Sequence, residues 1–331
     1  MSSLGDRQYS IYGYTLSTQE ELGLPRNGGS ANLWYRIDKN KKPPSLSGAK
    51  LIYQADALDL RYASITMIWQ RGKQYRLYFP DVGTYDITPT SITCYPCLTV
   101  LQPALQNELL GTVLSIWLEI KGIVALHSSA VVIGGRAVGF VASSGNGKST
   151  LAASLMQASF PLLTDDVLPV AFSDNSAWAY PGYPRMRLWP EEAVYFLGHS
   201  LDLEKVHSQV SKRWVRVGTD FGSFNDTPAP LSCIYLPTRC DSGKGTRIRI
   251  ERLSPRAAMI ELTRYSFAAN VVEALGLASK HFDLLARLAE HVSIRRITMP
   301  SGLEKLAQVR DAILSDLRFF KSSSLDFQAH M

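Results

Sequence analysis

The sequence predicts an α/β chain in which a P-loop catalytic domain over residues 101–320 follows a β-rich N-terminal domain over 1–100 and precedes a flexible tail, 321–331. Three observations predict it. The first hundred residues alternate short aromatic and β-branched runs with turn residues. An amphipathic helical pattern follows, and then a strand runs through a glycine-rich turn into a helix.

In the first part, Tyr9 to Leu16, Asn32 to Ile37, Ser64 to Trp69, Tyr75 to Phe79 and Tyr85 to Ile87 read as strands. The stretch from Trp69 to Tyr75 reads as a hairpin turning at Gly72, and Lys39 to Ser47 as an exposed loop. No chemistry is evident there beyond a docking role for an acceptor. Leu105, Leu109, Val113 and Trp117 recur at helical spacing, and Gly122 ends that helix.

Beyond it, Ala130 to Ile133 and Ala137 to Val141 flank Gly134-Gly135-Arg136 as a hairpin. Ser149 to Ala158 reads as a helix and Pro161 to Leu163 as a short buried strand. Further strands are expected at Ser232 to Leu236 and Arg247 to Glu251. Three helices close the domain: one from Ser254-Pro255, one over Val271 to His291, and one opening with Ser301-Gly-Leu-Glu304.

Composition sets bounds. The chain has 331 residues, enough for two ordinary cores. No apolar run reaches the length of a membrane span, and the polar start offers no signal core, so a cytoplasmic protein without a membrane partner is expected. The net charge of +6 is spread along the chain and does not point to nucleic acid. Four cysteines make no disulfide scaffold; Cys94-Tyr-Pro-Cys97 lacks a second CxxC and reads as two ordinary cysteines.

The chemistry is concentrated in Ala142-Ser143-Ser144-Gly145-Asn146-Gly147-Lys148-Ser149-Thr150. Glycines let the backbone wrap a phosphate, and the helix N-terminus adds N–H donors. Lys148 would reach the outer phosphates of ATP, and Ser149 would place a hydroxyl on Mg²⁺. Alanine stands where the full pattern wants its first glycine, which the loop tolerates only if φ at 142 stays negative.

Seventeen residues past Lys148 comes Asp165-Asp166, at the end of a strand expected to neighbour the P-loop strand. One carboxylate would serve the metal and the other would take the proton of an attacking hydroxyl; which is which stays open. His127, ahead of the hairpin, could pair with an aspartate. Arg185 and Arg187, on a proline-stiffened segment, could clamp phosphate or recognise a peptide. Lys212-Arg213 reads as solvated surface.

At these residues the chain resembles the catalytic domain of HPr kinase/phosphorylase. That family carries His-Gly before a strand pair, then Gly-Asp-Ser-Gly-x-Gly-Lys-Ser, then Ala-Asp-Asp. The whole chain is more similar to HPr-kinase-like proteins encoded beside ribosomally made peptides, lasso peptide precursor kinases among them. The run from Pro181 to Pro190 and the β-rich first half carry that likeness. The resemblance implies ATP-dependent phosphorylation of a serine on a peptide or small protein, with homo-oligomers open. It implies a metal on Ser149 and one of Asp165 or Asp166. Thr150 replaces the family's glutamate, and no Glu-x-Arg-Gly-Leu segment is present, so the resemblance does not carry dephosphorylation or HPr itself to this chain.

A P-loop ATPase or a nucleotide-binding regulator is the alternative. No Leu-Ser-Gly-Gly-Gln signature follows the P-loop, and no Asn-Lys-x-Asp guanine-reading motif is present.

Overall fold

A computed structural model describes residues 6–39, 41–55, 65–207, 210–240, 247–266 and 269–328. Among these residues the chain is mixed α/β, with two eight-stranded sheets and one of three strands.

The first sheet comprises β1 (Arg7–Ile11), β2 (Tyr14–Thr18), β3 (Leu33–Ile37), β4 (Lys50–Gln54), β5 (Met67–Arg71), β6 (Gln74–Phe79), β7 (Gly83–Ile87) and β8 (Ser91–Pro96), in the order β1-β2-β3-β8-β7-β6-β5-β4. The β5–β6 hairpin turns at Gly72 as expected. The run read as one strand over Tyr9 to Leu16 is instead the β1–β2 hairpin, because Tyr12 adopts φ 54°. Ser64, the start of another expected strand, lies outside the described residues, as does Asn40 of the expected loop.

The helix after the sheet is continuous but carries one wide turn. α1 (Gln102–Glu108) passes into a π turn (Leu109–Val113) and then α2 (Leu114–Lys121), which stops at Gly122. Its apolar side joins the core beneath the first sheet: Leu105, Leu109, Val113 and Trp117 are buried with Tyr9, Leu33 and Tyr85. Tyr183, Trp214 and Val167 from later in the chain enter the same core, so the first sheet is packed onto the rest of the molecule.

The second sheet is built on two long strands that change partners along their length. They are β9 (Val124–Ile133) and β17 (Ala229–Cys240). β10 (Arg136–Val141) pairs antiparallel with β9 through the predicted hairpin and parallel with β17. α3 (Lys148–Gln157) follows the glycine-rich loop and lies on this sheet. β11 (Leu162–Thr164) pairs with the far side of β9, so it does not neighbour the P-loop strand as expected; β9 lies between them.

β12 (Val167–Ser173) and β13 (Ser176–Ala179) continue the sheet from β9 to β17. β14 (Arg185–Leu188), β15 (Lys205–His207) and β16 (Val210–Arg216) form the small sheet, with α4 (Pro190–Leu197) between β14 and β15 in sequence. β18 (Arg249–Arg252), α5 (Pro255–Arg264), α6 (Ala269–Ala274), α7 (Ala278–His291), β19 (Ser293–Pro300) and α8 (Leu306–Gln328) complete the chain.

Ser254 caps α5 as its sequence suggested, accepting from Ala257 N. The single helix expected over Val271 to His291 is broken into α6 and α7, with Gly276 at φ 71°. The last helix opens through a 3₁₀ turn (Leu303–Lys305) and not on a Ser301 cap. It continues to Gln328, into the segment expected to be a flexible tail, because no proline or glycine interrupts it; residues 329–331 lie outside the described residues. No described helix is long and apolar enough to cross a membrane.

One close approach fixes the end of β11. Gly182 donates its N–H to Leu163 O, and a Cβ placed at 182 would sit 2.3 Å from Thr164 Oγ1. Gly182→Ala must therefore displace Thr164, the residue before Asp165. We expect a loss of about 1–3 kcal/mol in denaturant unfolding, the usual cost of overpacking.

Candidate active site

β10 delivers the chain into a loop whose shape is set by two left-handed glycines, Gly145 and Gly147, both at φ 86°. An L-residue with a Cβ rarely adopts that conformation. Ala142 is not among the residues with positive φ, which satisfies the condition that its alanine imposed. Ser143, Ser144 and Gly145 are exposed at the tip, while Asn146 turns its N–H back to Ser143 O at 3.3 Å. Gly147 is the N-cap of α3, so the orphan N–H groups of that helix open into the loop.

Lys148 is buried and curls back on the loop, donating to Ala142 O at 2.7 Å and Ser143 O at 3.2 Å. Burial pulls its ammonium down to about 8, against the pull of Asp165 and, after the repulsion of Lys212, Asp166. The neighbouring Thr150 hydroxyl donates to Glu192 Oε1, and Glu192 Oε2 accepts from Trp189 N at 2.9 Å. That carboxylate ties α3 to the first turn of α4.

The aspartate pair divides into two environments. In extended chain, neighbouring side chains point to opposite faces, and here Asp166 also takes φ 84°, a region that aspartate tolerates better than most residues. Asp165 faces the glycine-rich loop. Its Oδ1 accepts from Ser149 Oγ at 2.8 Å and from Ser129 Oγ at 2.5 Å, and its Oδ2 accepts from Arg187 N at 2.9 Å. Asp166 faces the other way. Its carboxylate meets Arg187 Nη1 at 2.9 Å and His127 Nδ1 at 3.5 Å, and its carbonyl lies 3.1 Å from the same Nδ1.

The charges follow from these contacts. Burial would raise the Asp166 carboxyl, but Arg187, then His127, Lys212 and Lys148 outweigh it and hold it below the usual range. Burial lowers His127, against the pull of Asp166, so its imidazole is biased toward the neutral form. Tyr12 and Tyr183, both buried, wall this side, and Tyr183 is pushed up to about 12 by burial.

Of the residues singled out in the sequence, Lys148, Ser149, Thr150, Asp165, Asp166, His127 and Arg187 are brought together. Arg185 stands apart. Its guanidinium lies over the Trp214 ring at 5.9 Å and against Gly23, and it does not line the phosphate-sized pocket. Lys212, read as solvated surface, lines that pocket; its ammonium lies 5.3 Å from the Trp189 ring. Glu192 and Arg239 also line it and carried no local signal, since each arrives on an element distant in sequence.

The pocket holds about 110 Å³; Lys148, Arg187, Lys212 and Arg239 line it together with Glu191 and Glu192, which leaves a positive balance. Arg187 Nε is buried with no hydrogen-bond partner, a donor left for an anion. A second cavity of about 210 Å³ shares Gly147, Thr150 and Arg239 with the first and continues over Met299, Leu303 and Leu306. A cationic pocket joined to a half-apolar one suits a molecule with phosphates at one end and an apolar ring at the other.

The donors around Ser149 are hard oxygens, which suit Mg²⁺. Among the described residues, no three His, Cys, Asp or Glu side chains gather at one point. Mg²⁺ does not require that, since it is commonly held by one or two carboxylates together with waters and substrate phosphates.

No family model matches the chain, and no curated protein matches it. Among solved structures it is similar to the HPr(Ser) kinase/phosphatase from Coxiella burnetii. The two are 14% identical, with 58% of this chain and 97% of that chain covered, at a TM-score of 0.29.

With Lys148 lowered, a polyphosphate bound at this loop is expected to be held in a pH-dependent way. An anion prefers the ammonium form, so binding raises the lysine's affinity for its proton. As pH rises through about 8, the free protein loses that charge first. Affinity for inorganic tripolyphosphate should therefore fall between about pH 7 and 9, with proton uptake in calorimetry that Lys148→Met abolishes.

Proposed function

We propose that this chain is an ATP-dependent serine kinase that transfers the γ-phosphoryl group to a serine hydroxyl of a peptide or small protein. The observation that carries this reading is the division of labour between adjacent aspartates. Asp165 is bound to the P-loop serine, and Asp166 is turned away from it beside Arg187 and His127. An ATPase or a binding module needs the first carboxylate; a kinase also needs a group to receive the acceptor.

In this reading the loop N–H groups from Gly145 to Thr150 cradle the phosphates. Lys148 exchanges its two loop carbonyls for phosphate oxygens, and Arg187, Lys212 and Arg239 offset the remaining charge. The half-apolar cavity beside Leu303 and Leu306 takes the nucleoside. Ser149 and Asp165 would hold Mg²⁺, which supplies charge neutralisation across the phosphates when bound.

Asp166 orients the serine hydroxyl and takes its proton. The serine oxygen forms its bond to the γ-phosphorus while the bond to the bridging oxygen breaks, and ADP leaves with that electron pair. A carboxylate held below the usual range is a weak base. Phosphoryl transfer through a loose transition state asks mainly for alignment, so late proton transfer to Asp166 suffices. The sequence resemblance makes a ribosomally made precursor peptide the first acceptor to try.

Lys148→Ala should lower phosphate transfer by about a hundredfold or more, as loss of one charge-stabilising donor does. Asp166→Asn should cut turnover with ATP affinity nearly unchanged, whereas Asp165→Asn should cut both. Steady-state kinetics beside ATP calorimetry distinguishes these, and equal effects from the two aspartate variants would count against separate roles.

A further inference from the structure

The two cavities beside the glycine-rich loop share a neck. Gly147, Thr150, Glu191, Glu192 and Arg239 line both of them. Beyond the neck the larger cavity is lined by Met299, Pro300, Gly302, Leu303, Leu306 and Val309. Every charged or hydroxyl side chain of that cavity therefore stands at the neck, and among the described residues none stands beyond it. The backbone beyond the neck offers little in their place. Pro300 has no N–H, and the Gly302 carbonyl already accepts from Lys305 N at 3.2 Å.

The neck carries both signs of charge. Arg239 lies against the loop, where a Cβ on Gly147 would stand 3.3 Å from its Nη2. Glu192 is buried and fully engaged, one carboxylate oxygen on the Thr150 hydroxyl and the other on Trp189 N. Glu191, next to it in the first turn of α4, is exposed and makes no hydrogen bond or ion pair among the described residues. An uncommitted carboxylate at the edge of a phosphate pocket repels the ligand's anionic end. It is favourable only where the ligand presents neutral donors. In a nucleoside triphosphate those donors are the vicinal ribose hydroxyls. They lie between the phosphates and the base, as the neck lies between the cationic and the apolar cavity. An acidic side chain takes the same part toward ribose in dinucleotide sites.

We propose that this site selects its phosphoryl donor by the sugar and not by the base. Glu191 accepts from the ribose hydroxyls, and the apolar cavity takes a purine without reading its edge. This inference rests on the nucleotide-binding part of the kinase reading above and adds the specificity for the donor. ATP and GTP are then near-equivalent, because an apolar wall cannot strongly reject a ring of like size that differs in its polar substituents. Glu191 determines specificity and has no part in the transfer step.

The test is calorimetry on the full chain with Mg²⁺ and four probes: ATP, GTP, 2′,3′-dideoxy-ATP and inorganic tripolyphosphate. The parent should bind ATP and GTP within about threefold of each other, and dideoxy-ATP about tenfold more weakly, as loss of a hydrogen bond to a charged group does. Glu191→Ala should bind ATP about tenfold more weakly than the parent, but dideoxy-ATP and tripolyphosphate no more weakly. Retained tripolyphosphate binding separates loss of the sugar contact from loss of the fold. Equal affinity of the parent for ATP and dideoxy-ATP overturns the inference. So does an equal loss of both nucleotides in Glu191→Ala, or a preference between ATP and GTP of about tenfold or more. Each of these leaves the kinase reading standing. Failure of the parent to bind any of the three nucleotides overturns both.

Discussion

The arrangement around the glycine-rich loop depends on one carboxylate. Asp165 accepts from a serine of β9, from the first-turn serine of α3 and from a backbone N–H of β14. Hydrogen bonds to an ionised acceptor are roughly twice as strong as neutral ones, and the one from Ser129 is buried. They join β9 and α3, which are near in sequence, to β14, which comes later in the chain. Removing the charge leaves three donors competing for a poorer acceptor, at a cost that falls on the site geometry and on folding together.

The second aspartate gets its character from the first. With Asp165 bound to Ser149, the left-handed turn at 166 sends the next carboxylate toward Arg187 and His127. Two adjacent acids on a regular strand would also have pointed apart, but toward unrelated surroundings. The turn keeps both within one site, and residues in such conformations persist where surrounding contacts hold them. Arg187, then His127, Lys212 and Lys148 hold the Asp166 carboxyl below its usual range despite burial.

What could be read from the sequence was what is local. The β9–β10 hairpin, the glycine turn, α3 and the acidic pair are encoded within some forty consecutive residues, and their spacing is dictated by backbone geometry. The helix from 102 to 121 was legible from its apolar period, but its π turn was not, since 3.6-residue periodicity is barely disturbed by one wide turn. β14, β16 and α4 went unread because their short strands are stabilised by each other and by the core. That is why Lys212 passed for surface and Glu192 passed unnoticed, while Arg185 and Arg187 could not be told apart two residues from each other.

The central claim is that Asp165 and Ser149 form one centre with a nucleotide's phosphates and a divalent ion. Electron paramagnetic resonance of Mn²⁺ titrated with ATP tests it without knowledge of the acceptor. We expect one tightly held Mn²⁺ per chain that appears only with nucleotide and is lost in Asp165→Asn, while Asp166→Asn retains it. An undiminished Mn²⁺–nucleotide signal in Asp165→Asn would contradict it.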